Sequence, residues 1–358
     1  MHYFSKIDQS LHPKRKDYLK KLYISDQSKN NLSKKDIKIL SEIVSFKKKF
    51  DKKQSLGGTW EWIEKNKRNY IKTKNLKNLS KLFSNFFRNH LSYGLISSHW
   101  KPKMKIKNSE KLVSDILKNI SVWEEFTQKK ISDYKFLENN KNIGNPYGLI
   151  FKNKLILYDT PRHDYYANKI QNLIFHKNKI PTILEVGGGF GGLLSQLLKR
   201  KLKFNYINID LYKSLQIAYY FIKKNFEKKI IISKIVSNDI FKKKNQIIFV
   251  PYNKQEFWNS NLKVDILFNS NSFSEMGKKS LLHYFKIINN KIKPKYILHQ
   301  NSNLKSFSKL KIYKEIPSSK FPIDSKSYDL LNFGLSNFQG GSGRYREYLY
   351  KRKNKKIF

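Results

Sequence analysis

The chain has 358 residues, with 73 basic and 27 acidic side chains, a formal net charge of +46 and no cysteine. The lack of cysteine excludes disulfide scaffolds, cysteine-ligated zinc, iron–sulfur clusters and thiolate nucleophiles. The 25 Phe and 22 Tyr residues supply too much apolar ring surface for a disordered protein. The first residues lack the apolar run of a signal peptide, and the weakly charged stretch 181–198 contains five glycines, which is untypical of a membrane span. We therefore expect a soluble, cytoplasmic protein.

The positive charge does not by itself indicate a nucleic-acid partner. Lysine outnumbers arginine 65 to 8, alanine occurs only twice, and both halves of the chain are strongly basic. This composition is typical of codon use in an AT-rich genome, which explains the charge without selection for a polyanion. The charge remains compatible with peripheral contact to an anionic membrane surface.

Residues 1–150 are predicted to form a mainly helical N-terminal region. Apolar residues recur at helical spacing in 34–49, 76–87 and 112–126. A loop with the sequence GNPYG (144–148) closes this region. We expect the region to be a supporting cap, or alternatively a lid or acceptor-binding module.

Residues 151–358 are predicted to form an α/β domain, because short apolar runs alternate with amphipathic helices from residue 160 onward. The predicted helices are one that begins at Pro161, 191–200 and 213–225. The predicted strands are 182–186, 205–209, 247–250, 264–269, 296–299 and 345–351. An inserted strand and turn are expected within 230–241, and turn residues 340–343 precede the last strand.

The most informative motif is ILEVGGGFGG (183–192), in which five of the chain's 15 glycines occupy six positions. Glycines at this point allow a sharp turn after a strand and let a ligand approach main-chain amides at a helix N-terminus. Asp210 ends the next strand, 25 residues after Glu185. A carboxylate there typically binds two ribose hydroxyls, so the unit predicts a nucleoside ligand.

Two nucleoside cofactors fit this unit. Gly187, Gly189 and Gly192 satisfy the G-x-G-x-x-G pattern of dinucleotide sites. Glu185, two residues before the first glycine, would however repel a pyrophosphate and would pair with the ammonium group of a methionine moiety. We therefore favour S-adenosylmethionine over a nicotinamide cofactor.

The same segments resemble the sugar O-methyltransferase family, class I enzymes that use S-adenosylmethionine in bacterial surface-polysaccharide synthesis. The matching pieces are ILEVGGGFGG, INIDL, GNPYG, TPRHDYYANKI, VDILFNSNSFSEM, HQNS and GRYREYLY. The resemblance covers roughly residues 140–350 and implies a Rossmann-like methyltransferase sheet of about seven strands. It also implies cofactor-binding roles for Glu185, Gly187, Gly188, Gly189 and Asp210, and a sugar or glycan acceptor that is nucleotide-activated, lipid-linked or polymeric.

Methyl transfer to a hydroxyl requires a base close to the methyl group. Glu275 ranks first because it follows the fourth strand, and His163 ranks second because a neutral imidazole is a competent base near pH 7. Asp164 and His299 are further candidates, and each candidate also has a purely structural interpretation. Tyr165, Tyr166 and Phe273 face either the sulfonium group, a sugar ring or the core.

Two further expectations concern adenine and metal binding. Asn253, after the strand 247–250, is expected to contact adenine, and the spacing of the eight histidines predicts no metal site. The alternatives are an RNA methyltransferase and an inactive methyltransferase-like scaffold. RNA methylation is disfavoured because the fourth strand ends in Asn-Ser-Asn-Ser rather than in N/D-P-P-Y or in an aspartate.

Overall fold

The computed structural model describes residues 22–23, 33–50, 60, 75–95, 109–131, 135–176, 179–241, 245–252, 257–303, 316–336, 338 and 344–354. Asn253 and the turn 340–343 lie outside the described residues. None of the helices in the described ranges combines the length and the apolar run that a bilayer crossing requires.

In the described residues, three α-helices precede residue 148, close to their predicted positions: α1 (Lys34–Phe50), α2 (Leu76–Ser84) and α3 (Ser109–Thr127). The helix predicted for 76–87 ends early because Asn85 leaves the helical conformation. The side-chain amide of Asn85 donates to the carbonyl oxygen of Lys81 at 2.9 Å. In a continuing helix, the backbone amide of Asn85 would bind that oxygen instead.

A hairpin of β1 (Gly148–Phe151) and β2 (Lys154–Ile156) follows. The boundary proposed between residues 150 and 151 falls inside this hairpin, and the division into two domains remains a prediction. The other helices, in chain order, are α4 (Thr160–Ile174), α5 (Gly192–Lys199), α6 (Tyr212–Asn225), α7 (Ser272–Glu275) and α8 (Lys278–Ile287).

Eight further strands form one sheet in the order β9-β10-β8-β7-β3-β4-β6-β5. Three two-residue strands of the described residues lie outside it: Leu22–Tyr23 pairs with β1, and Val236–Ser237 pairs with Trp258–Asn259. They are β3 (Thr182–Val186), β4 (Asn205–Asp210), β5 (Ile230–Ile232), β6 (Ile247–Pro251), β7 (Ile266–Ser270), β8 (Tyr296–Ser302), β9 (Tyr328–Leu335) and β10 (Tyr345–Arg352). The predicted α/β, Rossmann-like sheet preceded by helices is confirmed, with one strand more than the seven expected. β5 lies in the segment where an inserted strand was expected, and β9 is the strand for which no range was predicted.

All strands of this sheet are parallel except β10, which runs antiparallel to both β8 and β9. The chain moves from β3 to β4 in one direction, and β7 lies on the opposite side of β3. Such a switch point, at the carboxyl ends of parallel strands, is where α/β sheets bind ligands.

The helices α1 and α2 share a core with the sheet. Phe86 and Phe87, just after α2, pack with Phe190 of the glycine-rich turn and Phe221 of α6, and the two rings nearest Phe190 have centroids 5.2 Å from it. The GNPYG loop packs against the same rings, because a Cβ on Gly144 would lie 2.3 Å from Cε1 of Phe86. The helical region therefore contacts the candidate ligand site directly.

Candidate active site

The glycine-rich turn connects β3 to α5. Gly187, Gly189 and Gly191 have φ of +74°, +59° and +87°, a backbone conformation that residues with a Cβ rarely adopt. A Cβ on Gly187 would also lie 2.2 Å from Oγ of Ser272, the first residue of α7. The turn therefore packs directly on the segment that follows β7.

Asp210 lies at the carboxyl end of β4, against the glycine-rich turn. Its Oδ2 accepts a hydrogen bond from the amide of Gly189 at 2.9 Å, and its Oδ1 accepts one from the amide of Leu211 at 2.6 Å. These bonds fix the orientation of a carboxylate that is buried at the rim of the sheet. Two features that the sequence places more than twenty residues apart thus meet in one site.

Glu185 lies on β3 beneath the turn. A Cβ on Gly188 would be only 2.6 Å from its Oε2, and the hydroxyl of Tyr206 donates a hydrogen bond to the same oxygen. Burial raises the pKa of Glu185 to about 8, although the bond from Tyr206 opposes the rise; the charge of Asp210 adds to it. The carboxyl group is therefore largely protonated at neutral pH until a cation approaches.

Arg162, in the first turn of α4, is a site residue that sequence reasoning missed. Its Nη1 donates to Oγ of Ser270 at 2.5 Å, and its Nη2 forms an ion pair with Asp159 at 3.0 Å. The residue is 7% exposed, and its Nε has no hydrogen-bond partner. The side-chain nitrogen of Asn208, beneath Gly188, is likewise buried without a partner. Two buried donors therefore lie on either side of Glu185's strand, available to a polar ligand.

Buried amides hold the carboxyl ends of β7 and β8 together. Ser270 donates to Oε1 of Gln300 at 2.8 Å, and Asn301 donates to Oδ1 of Asn269 at 2.8 Å. Asn269 in turn donates to the carbonyl oxygen of Val186, at the start of the glycine-rich turn, at 2.8 Å. This network positions the loop after β7 relative to the turn.

The two predicted catalytic residues lie on opposite sides of the turn. Glu275 is the last residue of α7 and is partly exposed. His163 lies on α4, where a Cβ on Gly192 would be 2.2 Å from its Cε1. Burial, with the charges of Arg162 and Lys199, holds the pKa of His163 well below its usual value, so its imidazole is neutral. The catalytic roles of both residues remain predictions.

The other two candidate bases have structural partners. Asp164 is 1% exposed; it accepts a hydrogen bond from Nε1 of Trp123 at 2.9 Å and pairs with Arg200 at 2.5 Å. His299 is fully buried and stacks on the ring of Tyr348 at 4.8 Å. Burial lowers its pKa to about 3, which makes it a poor proton acceptor at neutral pH.

Core packing accounts for two of the three aromatic candidates. Tyr166 is 1% exposed and packs on Phe268 of β7, with ring centroids 5.0 Å apart, and Phe273 is fully buried among the apolar residues beneath α8. Tyr165 remains partly exposed. In the described part of the chain, no group of three or more His, Asp or Glu side chains is arranged to hold a metal ion.

Comparisons with known proteins give only distant structural matches. No family model and no curated protein matches the chain. A S-adenosylmethionine-dependent methyltransferase from Clostridium acetobutylicum ATCC 824 is 14% identical, with a TM-score of 0.37, over 54% of this chain and 91% of that one. The glycopeptide N-methyltransferase MtfA, complexed with S-adenosylmethionine, is 10% identical, with a TM-score of 0.37, over 53% and 94%.

The small RNA methyltransferase HEN1 is 18% identical, with a TM-score of 0.38, and the match spans 57% of this chain but only 26% of HEN1. Similarity at this level carries no conclusion about activity or substrate. The fold follows from the sheet itself, in which one antiparallel strand, β10, is inserted beside the edge strand of an otherwise parallel sheet. This is a Rossmann-like architecture.

Proposed function

We propose that the chain is a methyltransferase that uses S-adenosylmethionine. The observation that carries the proposal is the contact between Asp210 and the amide of Gly189 at the switch point of the sheet. A buried carboxylate held against a glycine-rich turn suits a ribose, and the neighbouring groups suit a zwitterionic amino acid. Glu185 would bind its ammonium group, and Arg162, whose Nε has no partner, would bind its carboxylate.

The bound cofactor would supply an electrophilic methyl group. The chain's own residues would then have three tasks: to orient the cofactor, to hold an acceptor hydroxyl in line with the transferred group, and to take up the proton of that hydroxyl. Glu275 is our candidate for the last task, because it follows β7 and lies beside the turn that Ser272 contacts. His163 is the second candidate, and burial lowers its pKa below that of a free imidazole.

We further propose that the acceptor is a sugar hydroxyl, in a glycan or an activated sugar, since NSFSEM, RHDYY and the other motifs resemble sugar O-methyltransferases. The alternatives are an RNA acceptor, for which the net charge of +46 is the favouring observation, and a scaffold without activity. RNA binding would be strongly salt-dependent, whereas binding of a neutral sugar would not.

The test combines cofactor binding with methyl transfer. Calorimetry with S-adenosylhomocysteine should show binding that Asp210→Ala weakens and that the exposed-site control Asp329→Ala leaves unchanged. Labelled S-adenosylmethionine should then transfer its methyl group to a member of a panel of nucleotide sugars and glycans, but not to RNA. Absence of binding at millimolar ligand would favour the scaffold, and transfer to RNA alone would overturn the sugar assignment.

A further inference from the structure

A cavity lies beside the edge of the sheet, away from the glycine-rich turn. It has a volume of about 220 Å³ and is formed by α3, α4, β9 and β10. Its position between the N-terminal helical region and the sheet is typical of small-molecule sites, which favour clefts between packed units. None of the residues so far assigned to cofactor binding lines it.

One wall of this cavity consists of three aromatic rings. Tyr165 is the central ring, with its centroid 5.6 Å from that of Phe126 and 5.1 Å from that of Phe338. Phe126 is 47% exposed, which is unusual for a Phe and leaves its ring open to the cavity. A continuous ring surface of this kind suits a ligand with an apolar face.

The other wall is polar and contains an unpaired hydroxyl. Ser336 is 8% exposed, and its Oγ has no hydrogen-bond partner among the described residues. Burying an unpaired hydroxyl is unfavourable, so a ligand that supplies the missing bond would be stabilised there. Lys169 also lines the cavity, but it pairs with Glu347 and its charge is therefore neutralised. The wall favours a neutral ligand with hydroxyl groups.

The register of the sheet relates this cavity to the candidate active site. Gly334 and Glu347, both in the wall of the cavity, pair with each other across β9 and β10. Glu347 pairs with Gln300, and Gln300 pairs with Ser270, which Arg162 contacts. At roughly 4.8 Å per strand, Gly334 lies about 14 Å from Ser270. The cavity therefore lies at the same position along the strands as the active site, and the distance between them is greater than the length of one sugar ring.

The geometry points to a subsite for a neutral sugar unit that lies further along the same glycan than the unit directly beside the methylated one, so that the acceptor is an oligosaccharide rather than a single activated sugar. This inference rests on the proposed function. The ring wall contacts the apolar face of a sugar, and Ser336, Asn332 and Glu347 bond its hydroxyls. A nucleotide fits less well, because its phosphate would meet the carboxylate of Glu347 while the nearest cation is already paired.

The experiment measures sugar binding without the cofactor. The probes are the di- and trisaccharides of the malto-, cello-, manno- and galacto-series, their monosaccharides, and hexauridylate, each titrated by saturation-transfer NMR. We expect at least one oligosaccharide to bind about tenfold or more tightly than its monosaccharide, a difference of about 1.4 kcal/mol. Equal affinity for monosaccharide and oligosaccharide in every series, or binding of hexauridylate alone, would overturn the proposal.

Two variants test the position of the subsite. Phe126→Ala removes an exposed ring and Ser336→Ala removes an unpaired hydroxyl, so neither should unfold the protein. Each should weaken oligosaccharide binding several-fold and leave monosaccharide binding unchanged. The matched control is Phe333→Ala, since Phe333 is 55% exposed on β9 but does not line the cavity. An equal loss in the control and in Phe126→Ala would refute the assignment of the cavity.

The outcomes separate this inference from the proposed function. In one outcome the protein binds S-adenosylhomocysteine and transfers the methyl group of S-adenosylmethionine to monosaccharides, and Phe126→Ala has no effect. This outcome would retain the methyltransferase and reject the subsite. Oligosaccharide binding that depends on Phe126, in a protein without affinity for S-adenosylhomocysteine, would retain the subsite and reject methyl transfer.

Discussion

The pairing of Glu185 with a ligand ammonium predicts a specific pH dependence of cofactor binding. Burial holds the pKa of Glu185 at about 8 in the ligand-free protein. The protonated carboxyl group of Glu185 carries no charge and cannot form an ion pair with the ligand ammonium. Below the pKa, the ligand must therefore bind to the minor, ionised form of Glu185. Affinity for S-adenosylhomocysteine should therefore rise with pH until Glu185 is ionised.

The size of the effect follows from one proton. Below a pKa of about 8 the ionised fraction of Glu185 changes about tenfold per pH unit, so affinity should rise nearly tenfold from pH 6 to pH 7, or about 1.4 kcal/mol. At higher pH the ligand's own α-amino group loses its proton. The affinity should then level off and fall.

Calorimetric titration with S-adenosylhomocysteine between pH 6 and pH 9 measures this profile. Glu185→Gln should bind weakly with a nearly flat profile from pH 6 to pH 7. Tyr206→Phe is the matched control: it removes the hydrogen bond that lowers the pKa of Glu185 and should shift the rise to higher pH. A wild-type profile that is flat from pH 6 to pH 8, or that is unchanged in Glu185→Gln, would refute the pairing.

Four further outcomes are expected. Asp164→Asn removes the buried carboxylate that pairs with Arg200, which should lower the free energy of unfolding by roughly 3–5 kcal/mol and the melting temperature by on the order of 10 °C; unchanged melting with lost turnover would instead make Asp164 catalytic. Asp210→Ala should weaken S-adenosylhomocysteine binding at least about tenfold, because its carboxylate positions the amide of Gly189; full affinity by calorimetry would contradict this. Glu275→Gln should slow turnover while cofactor affinity is kept, and a fully active variant would exclude Glu275 as the base. The pKa of Glu185 is raised in the folded protein, so the stability that Glu185 contributes is present below its pKa in the unfolded chain, about 4.5, and is lost as the pH rises to about 8. Glu185→Gln should therefore raise the melting temperature at pH 8.5 but not at pH 5. The opposite pattern would argue against a raised pKa.

Local sequence patterns predicted most of the sheet and the ligand turn. The strand Thr182–Val186 and the strand that ends at Asp210 form where apolar runs predict them. The glycines that follow the first of these strands adopt the left-handed conformations for which glycine is needed. These features could be predicted because each depends on residues that are close together in sequence.

Contacts between distant segments could not be predicted in this way. Arg162 belongs to a motif that the sequence analysis quoted, but its partner Ser270 lies 108 residues away. Asp164 is chemically suited to act as a base, and only the structure places Trp123 and Arg200 around its carboxylate. His299 is also chemically suited to act as a base, and only the structure shows that it is fully buried beside Tyr348. Burial and pairing, which decide a side chain's chemistry, are properties of the folded chain.

The ring cluster around Phe190 has a consequence for how the protein is made. A chain leaves the ribosome from its N-terminus, so Phe86 and Phe87 emerge about a hundred residues before the partner rings Phe190 and Phe221. During that interval their apolar faces are exposed in the nascent chain and are available for misassembly or for a chaperone. The glycine-rich turn can therefore pack correctly only after synthesis has continued well beyond residue 190.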